Sequence, residues 1–507
     1  MGGSAPSSWD AAWAGLPGGF VRLTVWTALL EICGFCNLTG PLGAGQATFA
    51  PLWYRLARGT LKQPLVPGLP RRRGTLDIWL FVLYALAALG AALAQGEAYS
   101  EPWRMRIAVA LLTVLCITDR SAYVGSWGAY YYPLLVCQAF GGSVGLFGCQ
   151  LVQLAHLFMA GVGKLGPWFQ YVTPNMLGQC PLAPKSFKEA LFGKSATGDV
   201  DPMRPSRLGS VLGILAVGME LVCPLLLVSR SGLCRCAAMW LAVALHVYVV
   251  LQFAPGAVGE WNAFNAIATL YLFGVQGPVV IPQGQHCQLG LMLWFVVMTV
   301  CIGPLIGNWK PSLLGNHFTL RKYTGNHPYH TFLVRRDAAS KLSAFKTYAP
   351  LVAVLSASPS MDFVSCAALH SLVRGRLNLR RLLDILSVAL PSDSVDNLDD
   401  FVRFDLGFLF CQTALDVTFL DSPLLDMLKG AGFQAGELYS LQVTSFPTFV
   451  TWPHRAPWML HDVGAGTLVC SGLVSADGTF ETWPAPGAHA RDPTGDLRKH
   501  LLPAPPS

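Results

Sequence analysis

Long apolar runs separated by short polar segments occupy the first 309 residues of the chain. Runs of about 17 to 25 mostly apolar residues are long enough to cross the hydrocarbon core of a bilayer as helices. The pattern therefore predicts a polytopic helix bundle with about eight or nine crossings. The predicted spans lie near residues 20–39, 77–95, 105–118, 130–148, 149–165, 208–228, 235–253, 262–282 and 287–307.

The pattern changes after residue 309, where charged residues, turns and short amphipathic segments replace the long apolar runs. Residues 337–390 have a helical pattern, and residues 436–482 contain Val-, Thr- and aromatic-rich runs broken by prolines, which is typical of short strands. The predicted fold class is therefore a membrane all-α bundle followed by a smaller soluble α+β domain. The predicted division is an N-terminal segment (1–19), a transmembrane helical domain (20–309), a soluble or peripheral domain (310–483) and a Pro-rich disordered tail (484–507).

Composition indicates an integral membrane protein. Only 12% of the 507 residues are charged and 53% are hydrophobic, with a mean hydropathy of +0.45. Soluble globular proteins carry about 25% charged residues. The net charge is +7, and the basic residues cluster beside apolar runs, which fits the positive-inside bias better than a nucleic-acid footprint. The expected partner is the lipid bilayer, nucleic acid is not expected, and the identity of the membrane stays open.

The basic segments 55–73 and 185–207 are predicted to face the cytoplasmic or equivalent side, because basic loops favour that side. Nine crossings would put both segments and the C-terminal domain on the same side. The fourteen cysteines are scattered through spans and tail, without the paired spacing of a zinc ribbon or a disulfide framework. They therefore indicate neither a metal site nor a compartment.

The stretch from Gln153 to Phe169 places His156 and Lys164 in an otherwise apolar segment. Their spacing on a helix puts them within about 80° of each other and about 12 Å apart along the axis. Ionisable groups inside a membrane are costly unless they face a bundle interior or a wet cavity, so they mark a candidate functional site. The alternative is a lysine at the helix end that extends to the membrane interface, since Gly166-Pro167 ends the helix just after it.

Other polar residues within or beside the spans predict a polar cavity inside the bundle. Asp119 and Arg120 are expected to pair with each other, and Glu31 or Glu220 to act as a counter-charge to Lys164. A lysine withdrawn from water by apolar walls is a usable base. His156 and His246 are weaker candidates, because a single histidine in a packed helix is often a hydrogen-bonded core residue. The polar set consists of Glu31, Asp119, Arg120, Glu220, His246, Glu260, Asn262 and Asn265.

The stretch Ala160-Gly-Val-Gly-Lys-Leu165, followed by Trp168, resembles the Ala-Gly-Val-x-Lys-Leu stretch in the transmembrane domain of vitamin K-dependent gamma-carboxylases and their bacterial relatives. The resemblance implies that Lys164 is the catalytic base. The stretch beginning Asp119-Arg-Ser is similar to that family's Asp-Lys-Thr stretch. A functional histidine follows this aspartate in the family, but the matching positions, Ser126-Trp-Gly128, contain none. The large lumenal substrate-binding domain of those carboxylases also has no counterpart here.

A longer resemblance, from about residue 20 to residue 480, is to an uncharacterised family of multi-pass proteins found in actinobacteria and some eukaryotes. This resemblance implies the same polytopic fold but no established reaction. The stretches that carry it include Trp26-Thr-Ala-Leu-Leu-Glu31, Gly40-Pro-Leu42, Arg204-Pro-Ser-Arg-Leu208, Glu220-Leu-Val-Cys-Pro224, Glu260-Trp-Asn262, Tyr323-Thr-Gly-Asn326, Ala368-Leu-His-Ser371 and Gly432-Phe-Gln-Ala-Gly-Glu437.

Two hypotheses for the function follow. The first is an enzyme acting on a lipophilic quinone, isoprenoid, pigment or lipid in an intramembrane cavity, and the second is a transporter or an assembly factor whose C-terminal domain binds a protein partner. No metal-ligand spacing, glycine-rich phosphate loop or nucleophile elbow occurs, so no metal site is predicted and no cofactor is identified. The predicted catalytic residues are Lys164, Glu220, Glu31 and His156, and the predicted substrate-binding residues are Asp119, Arg120, His246, Glu260 and Asn262.

Overall fold

The computed structural model of the protein describes residues 17–33, 51–93, 102–252, 259–309, 320, 329–341, 401–405, 430–443, 455–475 and 480–484, except 61, 63, 127, 167–168, 171, 181 and 195–196. The chain divides into two compact units, the first comprising Met1–Val162 and Leu215–Ile306 and the second comprising Gly163–Ile214 and Gly307–Ser507. Most of the predicted helical stretch 337–390 and the predicted disordered tail lie outside the described residues. The division into domains predicted from composition stays a prediction.

Helices account for nearly all of the described part of the membrane half. They are α1 (Pro17–Cys33), α2 (Pro51–Leu56), α3 (Thr75–Leu93), α4 (Trp103–Thr118), α5 (Arg120–Gly125), α6 (Tyr131–Phe140), α7 (Gly142–Gly163), α8 (Thr173–Gln179), α9 (Lys185–Ala190), α10 (Arg207–Leu227), α11 (Gly232–Gln252), α12 (Gly259–Thr269), α13 (His286–Val296) and α14 (Gly303–Trp309). Helices α12 and α13 each continue into a π-helical turn, Leu270–Val275 and Val297–Ile302 respectively.

Five helical stretches among the described residues are long and apolar enough to cross a membrane. They confirm a multi-pass membrane protein, but they do not confirm the predicted eight or nine crossings. Helix α4 contains 16 residues and is shorter than a free-standing span, whereas α1, with 17 residues, is at the lower limit of span length. The five candidate spans are Thr75–Leu93, Gly142–Gly163, Arg207–Leu227, Gly232–Leu251 and His286–Asn308.

The runs predicted near 130–148 and 149–165 are joined by small residues from Gly141 to Gly148, and the structure puts the break between α6 and α7 at the start of this stretch, at Gly141 and Gly142, which have φ angles of 74° and 52°. These angles lie in the left-handed region that glycine adopts without the clash of a Cβ atom. The predicted fourth span therefore becomes a ten-residue helix, and the 22-residue α7 takes up the remaining apolar sequence.

Helix α1 is embedded in the first unit. Its Val25, Ala28 and Ile32 side chains are almost fully buried. The helix packs against α3 and α6, α3 packs against α4, and α11 packs against α12. By contrast, many apolar side chains on α3, α10 and α11 are exposed, which suits helix faces that contact lipid.

The second unit contains an antiparallel sheet of six strands in the order β4-β3-β5-β6-β7-β8. Four of the strands fall within the segment 436–482 or overlap its end, as predicted, whereas β3 and β4 were not predicted. A short antiparallel pair, β1 and β2, lies within the basic segment 185–207. The strands are β1 (Phe192–Lys194), β2 (Val200–Pro205), β3 (Tyr329–Arg335), β4 (Phe401–Asp405), β5 (Leu438–Val443), β6 (Arg455–Asp462), β7 (Thr467–Ser475) and β8 (Phe480–Pro484).

The turn before β5 is organised by the carboxylate of Glu437. It accepts hydrogen bonds from the backbone N–H of Gln434 at 2.7 Å and from Lys341 Nζ at 2.5 Å, and it lies 3.5 Å from Arg335 Nη2. The Gln434 N–H and the Lys341 ammonium lower the pKa of Glu437 below its usual value. The contribution of Glu437 to stability is therefore lost as the pH falls through this lowered pKa.

We expect acid to destabilise the sheet through His461 on β6. Burial lowers the pKa of His461 to about 4, whereas the unfolded chain titrates near about 6.5. The unfolded state consequently binds more protons between these two values, so stability falls as the pH falls from about 6.5 to about 4, by at most about 3 kcal/mol. Hydrogen exchange of β5 to β7 at several pH values, corrected for intrinsic rates, measures this slope. The variant His461→Phe should remove most of the slope above about pH 4.5, and an unchanged slope would contradict the assignment.

Candidate functional site

Buried polar side chains of the first unit meet on the facing sides of α7 and α12. The amide nitrogen of Gln153 donates to Asn265 Oδ1 at 3.0 Å and to Thr269 Oγ1 at 3.2 Å. One turn earlier, Gln150 donates to the carbonyl of Leu272 at 2.8 Å. We call Gln153, Asn265 and Thr269 the amide network. It satisfies polar groups that would otherwise be costly inside a membrane protein.

The oxygen of the Gln153 amide has no hydrogen-bond partner among the residues that the structure describes, although the side chain is fully buried. A buried acceptor without a donor costs about 1 to 3 kcal/mol, and in native proteins it usually has an explanation such as a bound group. The orientation of this amide is set by its nitrogen, which donates to two oxygens. The network thus leaves one hydrogen-bond acceptor for a further molecule.

A second polar pair joins α11 to α12. His246 Nδ1 lies 2.9 Å from Asn262 Oδ1, and both side chains are buried. Because an amide oxygen only accepts, this arrangement puts the hydrogen on Nδ1. In the neutral ring the lone pair then resides on Nε2. The two predicted substrate-binding residues His246 and Asn262 are therefore brought together.

A cluster of aromatic and ionisable side chains surrounds His156 on α7. The Tyr130 ring lies edge-on to the His156 ring with centroids 4.9 Å apart, and Trp261 lies 4.7 Å from Tyr130 on another side. Glu220 on α10 is buried and close enough to interact electrostatically with Tyr130. We call Tyr130, His156, Glu220 and Trp261 the His156 cluster. It combines an imidazole, a phenol and a carboxylate in a largely apolar region.

A glycine allows the two helices that carry His156 and Glu220 to approach each other. A Cβ atom at Gly161 would lie 2.9 Å from Leu221 Cδ2 and 3.1 Å from the Cβ of Glu220. Both distances are shorter than ordinary van der Waals contacts. A side chain at this position would therefore push α7 and α10 apart and move Glu220 away from the cluster.

Lys164 lies in the turn just after the end of α7 and is half-buried. Its ammonium lies 5.4 Å from the centroid of the Phe169 ring, within the range of a cation–π contact. Of the other predicted catalytic residues, Glu31 is buried on α1. The proposed role of Glu31 or Glu220 as a counter-charge to Lys164 stays a prediction. Glu260 is partly buried in the first turn of α12.

Asp119 is held in a buried ionic cluster. Its carboxylate forms a salt bridge with Arg73, lies 3.8 Å from Arg55 Nη1 and accepts a hydrogen bond from the backbone N–H of Ser121 at 3.0 Å. Arg55 also donates to the carbonyls of Ile32 at 3.1 Å and Ser121 at 2.9 Å. We call Arg55, Arg73 and Asp119 the ionic cluster. These contacts indicate a structural role for Asp119.

The predicted pairing of Asp119 with Arg120 does not account for this cluster, because Arg55 and Arg73 of the basic segment 55–73 reach the carboxylate. Three basic side chains of the segment 55–73, Arg55, Lys62 and Arg73, are buried. Tyr130, Gln153 and Trp261 belong to the polar region but were not predicted as site residues. Of these three residues, only Gln153 could have been identified from the sequence, because it precedes His156 by three residues and thus shares its helix face.

No group of three or more His, Cys, Asp or Glu side chains suited to a metal ion occurs among the described residues.

Comparison with known proteins supports the membrane assignment. Neither a curated protein nor a solved structure matches the chain. A family model described as "transmembrane protein of unknown function (DUF3556)" matches residues 8–366. The match supports the uncharacterised multi-pass family and not the resemblance to carboxylases. Because it covers more than half of the chain, the protein belongs to this family of transmembrane proteins.

Proposed function

We propose that the protein is an enzyme that transfers protons to or from a lipophilic substrate, such as a quinone, isoprenoid, pigment or lipid, within the membrane. The observation that carries the proposal is the His156 cluster. His156 is buried in a candidate span, with a tyrosine ring against it and a carboxylate near that tyrosine. Ionisable groups in such a position are costly, and in membrane proteins they mark functional sites.

The chemistry that these residues support is general acid–base catalysis. His156 takes or gives a proton, and Glu220 provides a negative charge that stabilises positive charge in this region. The Gln153 amide oxygen, which has no hydrogen-bond partner in the described part of the chain, lies one turn away on the same helix, so it suits a substrate with a hydroxyl or N–H donor. The apolar surroundings of the cluster suit the remainder of a lipophilic molecule.

Lys164 is a second candidate for a proton-transfer residue, proposed from its position at the end of an apolar helix. Its half-buried side chain and the neighbouring Phe169 ring support two alternatives, a base or a cation held against an aromatic face. The two alternatives respond differently to arginine, because arginine remains a cation and cannot act as a base.

The second candidate function is non-enzymatic, as a transporter or an assembly factor. The observation that favours it is the six-stranded sheet of the second unit, since β4 and β8 lie at its edges. An edge strand offers unpaired backbone groups on which a partner can add a strand. In this case the buried polar residues would stabilise the bundle or line a transport path, and no lipophilic compound would be converted.

A comparison of lipids and pigments in cells with and without the protein tests the proposal. We expect one lipophilic compound to accumulate and a related compound to disappear when the protein is absent. Wild-type protein should restore the profile, whereas His156→Gln should slow the conversion about 100-fold or more, because glutamine forms hydrogen bonds but does not transfer protons.

The matched control is His286→Gln, which alters an exposed histidine at the start of α13 and should restore the profile fully. Equal protein levels and melting temperatures make the comparison valid. If His156→Gln restores the profile as wild type does, proton transfer by His156 is excluded. An unchanged profile in cells that lack the protein would reject the enzyme and favour transport or assembly.

A further inference from the structure

We propose that residues 59–73 form a binding surface for the headgroups of anionic phospholipids. The segment is a hairpin in which Gly59 N–H donates to the carbonyl of Arg73 at 2.9 Å, Arg73 N–H to that of Thr60 at 2.8 Å and Lys62 N–H to that of Arg71 at 2.9 Å. We call it the 59–73 hairpin. Its basic side chains fall into two groups, one buried and paired with carboxylates and the other exposed.

The inner side of the hairpin is anchored in the first unit. Arg73 forms a salt bridge with Asp119 and donates to Thr60 Oγ1 at 2.6 Å. Lys62 lies 2.5 Å from Asp77, a residue in the first turn of α3. These two ion pairs, one buried and one partly buried, fix the hairpin against the bundle, so its outer side chains are presented in a defined place without a further cost of ordering the backbone.

The outer side carries positive charge beside apolar surface. Arg71 and Arg72 are exposed, and so is Arg58 just before the hairpin. At the tip, 48% of Leu65 and 47% of Val66 are accessible. Arginine matches phosphate oxygens through its planar fork of N–H donors, while exposed aliphatic side chains enter the acyl boundary of a bilayer. This surface is complementary to an anionic lipid, because such a lipid has both a negatively charged phosphate and apolar acyl chains.

The position of the hairpin next to a candidate span suits contact with lipid headgroups. It leads directly into α3, a candidate span that begins at Thr75. The N–H of Leu65 donates to the carbonyl of Ile117 in the last turn of α4, at 2.8 Å. Trp79, in the second turn of α3, is 60% exposed. Tryptophan at the end of a span marks the membrane interface, so the arginines are within reach of lipid phosphates.

Native mass spectrometry of the full-length protein in detergent micelles tests this surface. The micelles contain phosphatidylglycerol and phosphatidylcholine in equal amounts. We expect the wild-type protein to retain phosphatidylglycerol preferentially, and Arg71→Gln/Arg72→Gln to reduce its apparent affinity about tenfold or more, because each interfacial arginine adds to the attraction of anionic lipid. The buried Arg73 is unchanged, so the hairpin keeps its anchor.

The matched control is Arg204→Gln/Arg230→Gln, which removes two exposed positive charges elsewhere and should leave the affinity unchanged. A second variant, Leu65→Ser/Val66→Ser, keeps all charges and should also weaken retention, because it removes the apolar part of the surface. Unchanged retention in Arg71→Gln/Arg72→Gln, an equal loss in the control, or complete displacement of the lipid by millimolar inorganic phosphate would each overturn the proposal. A melting temperature equal to that of the wild type verifies that the variants are folded.

Discussion

Replacing Lys164 by arginine is expected to abolish the proposed conversion of a lipophilic substrate while the protein still folds. A catalytic lysine must lose its proton, and arginine keeps its positive charge at any physiological pH. Arginine also preserves a cation–π contact with Phe169, so the local packing is retained. The measurement is the rate at which the variant restores the lipid and pigment profile of cells that lack the protein.

The control for this experiment is Lys194→Arg on β1, where the lysine is exposed. This variant should restore the profile at the wild-type rate. Full restoration by Lys164→Arg would instead identify Lys164 as a cation that Phe169 and the membrane interface stabilise, and would leave His156 as the remaining candidate for the acid–base residue. The Lys164→Arg result therefore shows whether Lys164 acts as a base or as a cation. The His156→Gln variant alone does not answer this question.

Replacing Asp119 by alanine should destabilise the first unit by about 3 to 5 kcal/mol. The side chains of Arg55 and Arg73 are 2% and 3% exposed, so removing the carboxylate leaves two guanidinium groups buried beside each other. Burying a charge after its partner is lost is among the largest effects of a single substitution. Denaturant unfolding in micelles, followed by the exposure of buried cysteines such as Cys137, measures the change.

The matched control is Asp199→Ala, because this exposed carboxylate forms a hydrogen bond only with nearby Thr197 among the contacts that the structure gives it. It should change stability by less than about 0.5 kcal/mol. Adding Arg73→Met to Asp119→Ala should recover part of the lost stability, since it removes one buried charge and keeps apolar volume. Equal unfolding of Asp119→Ala and Asp199→Ala would contradict a structural role of the ionic cluster.

The helical membrane half was predictable because transfer into lipid depends mainly on the local sequence. A run such as 208–228 is apolar enough to form a span whatever its neighbours are, and the structure has a helix over Arg207–Leu227. The number of spans was less predictable. Helix α1 is apolar and, with 17 residues, at the lower limit of span length, but the structure buries it inside the unit, and a buried helix and a lipid-facing helix have similar composition.

The strands of the C-terminal region were predictable where they were close in sequence. Strands β5 to β8 occupy neighbouring segments between residues 438 and 484, separated by turn residues. Strands β3 and β4 pair across a long intervening segment, so the local sequence of each strand does not reveal its partner. A short run such as Phe401–Asp405 has no pattern that distinguishes it from a loop until its partner is known.

By itself, the sequence determined that the protein is a multi-pass membrane protein and where most of its helices lie, because these properties follow from hydrophobicity and length. It also identified His156, Glu220, His246 and Asn262 as polar residues in an apolar setting. Only the tertiary structure decided which of them meet. Asp119 pairs with Arg73, 46 residues earlier, and His156 packs against Tyr130, because a buried polar group takes whichever partner the packing of helices brings within contact distance.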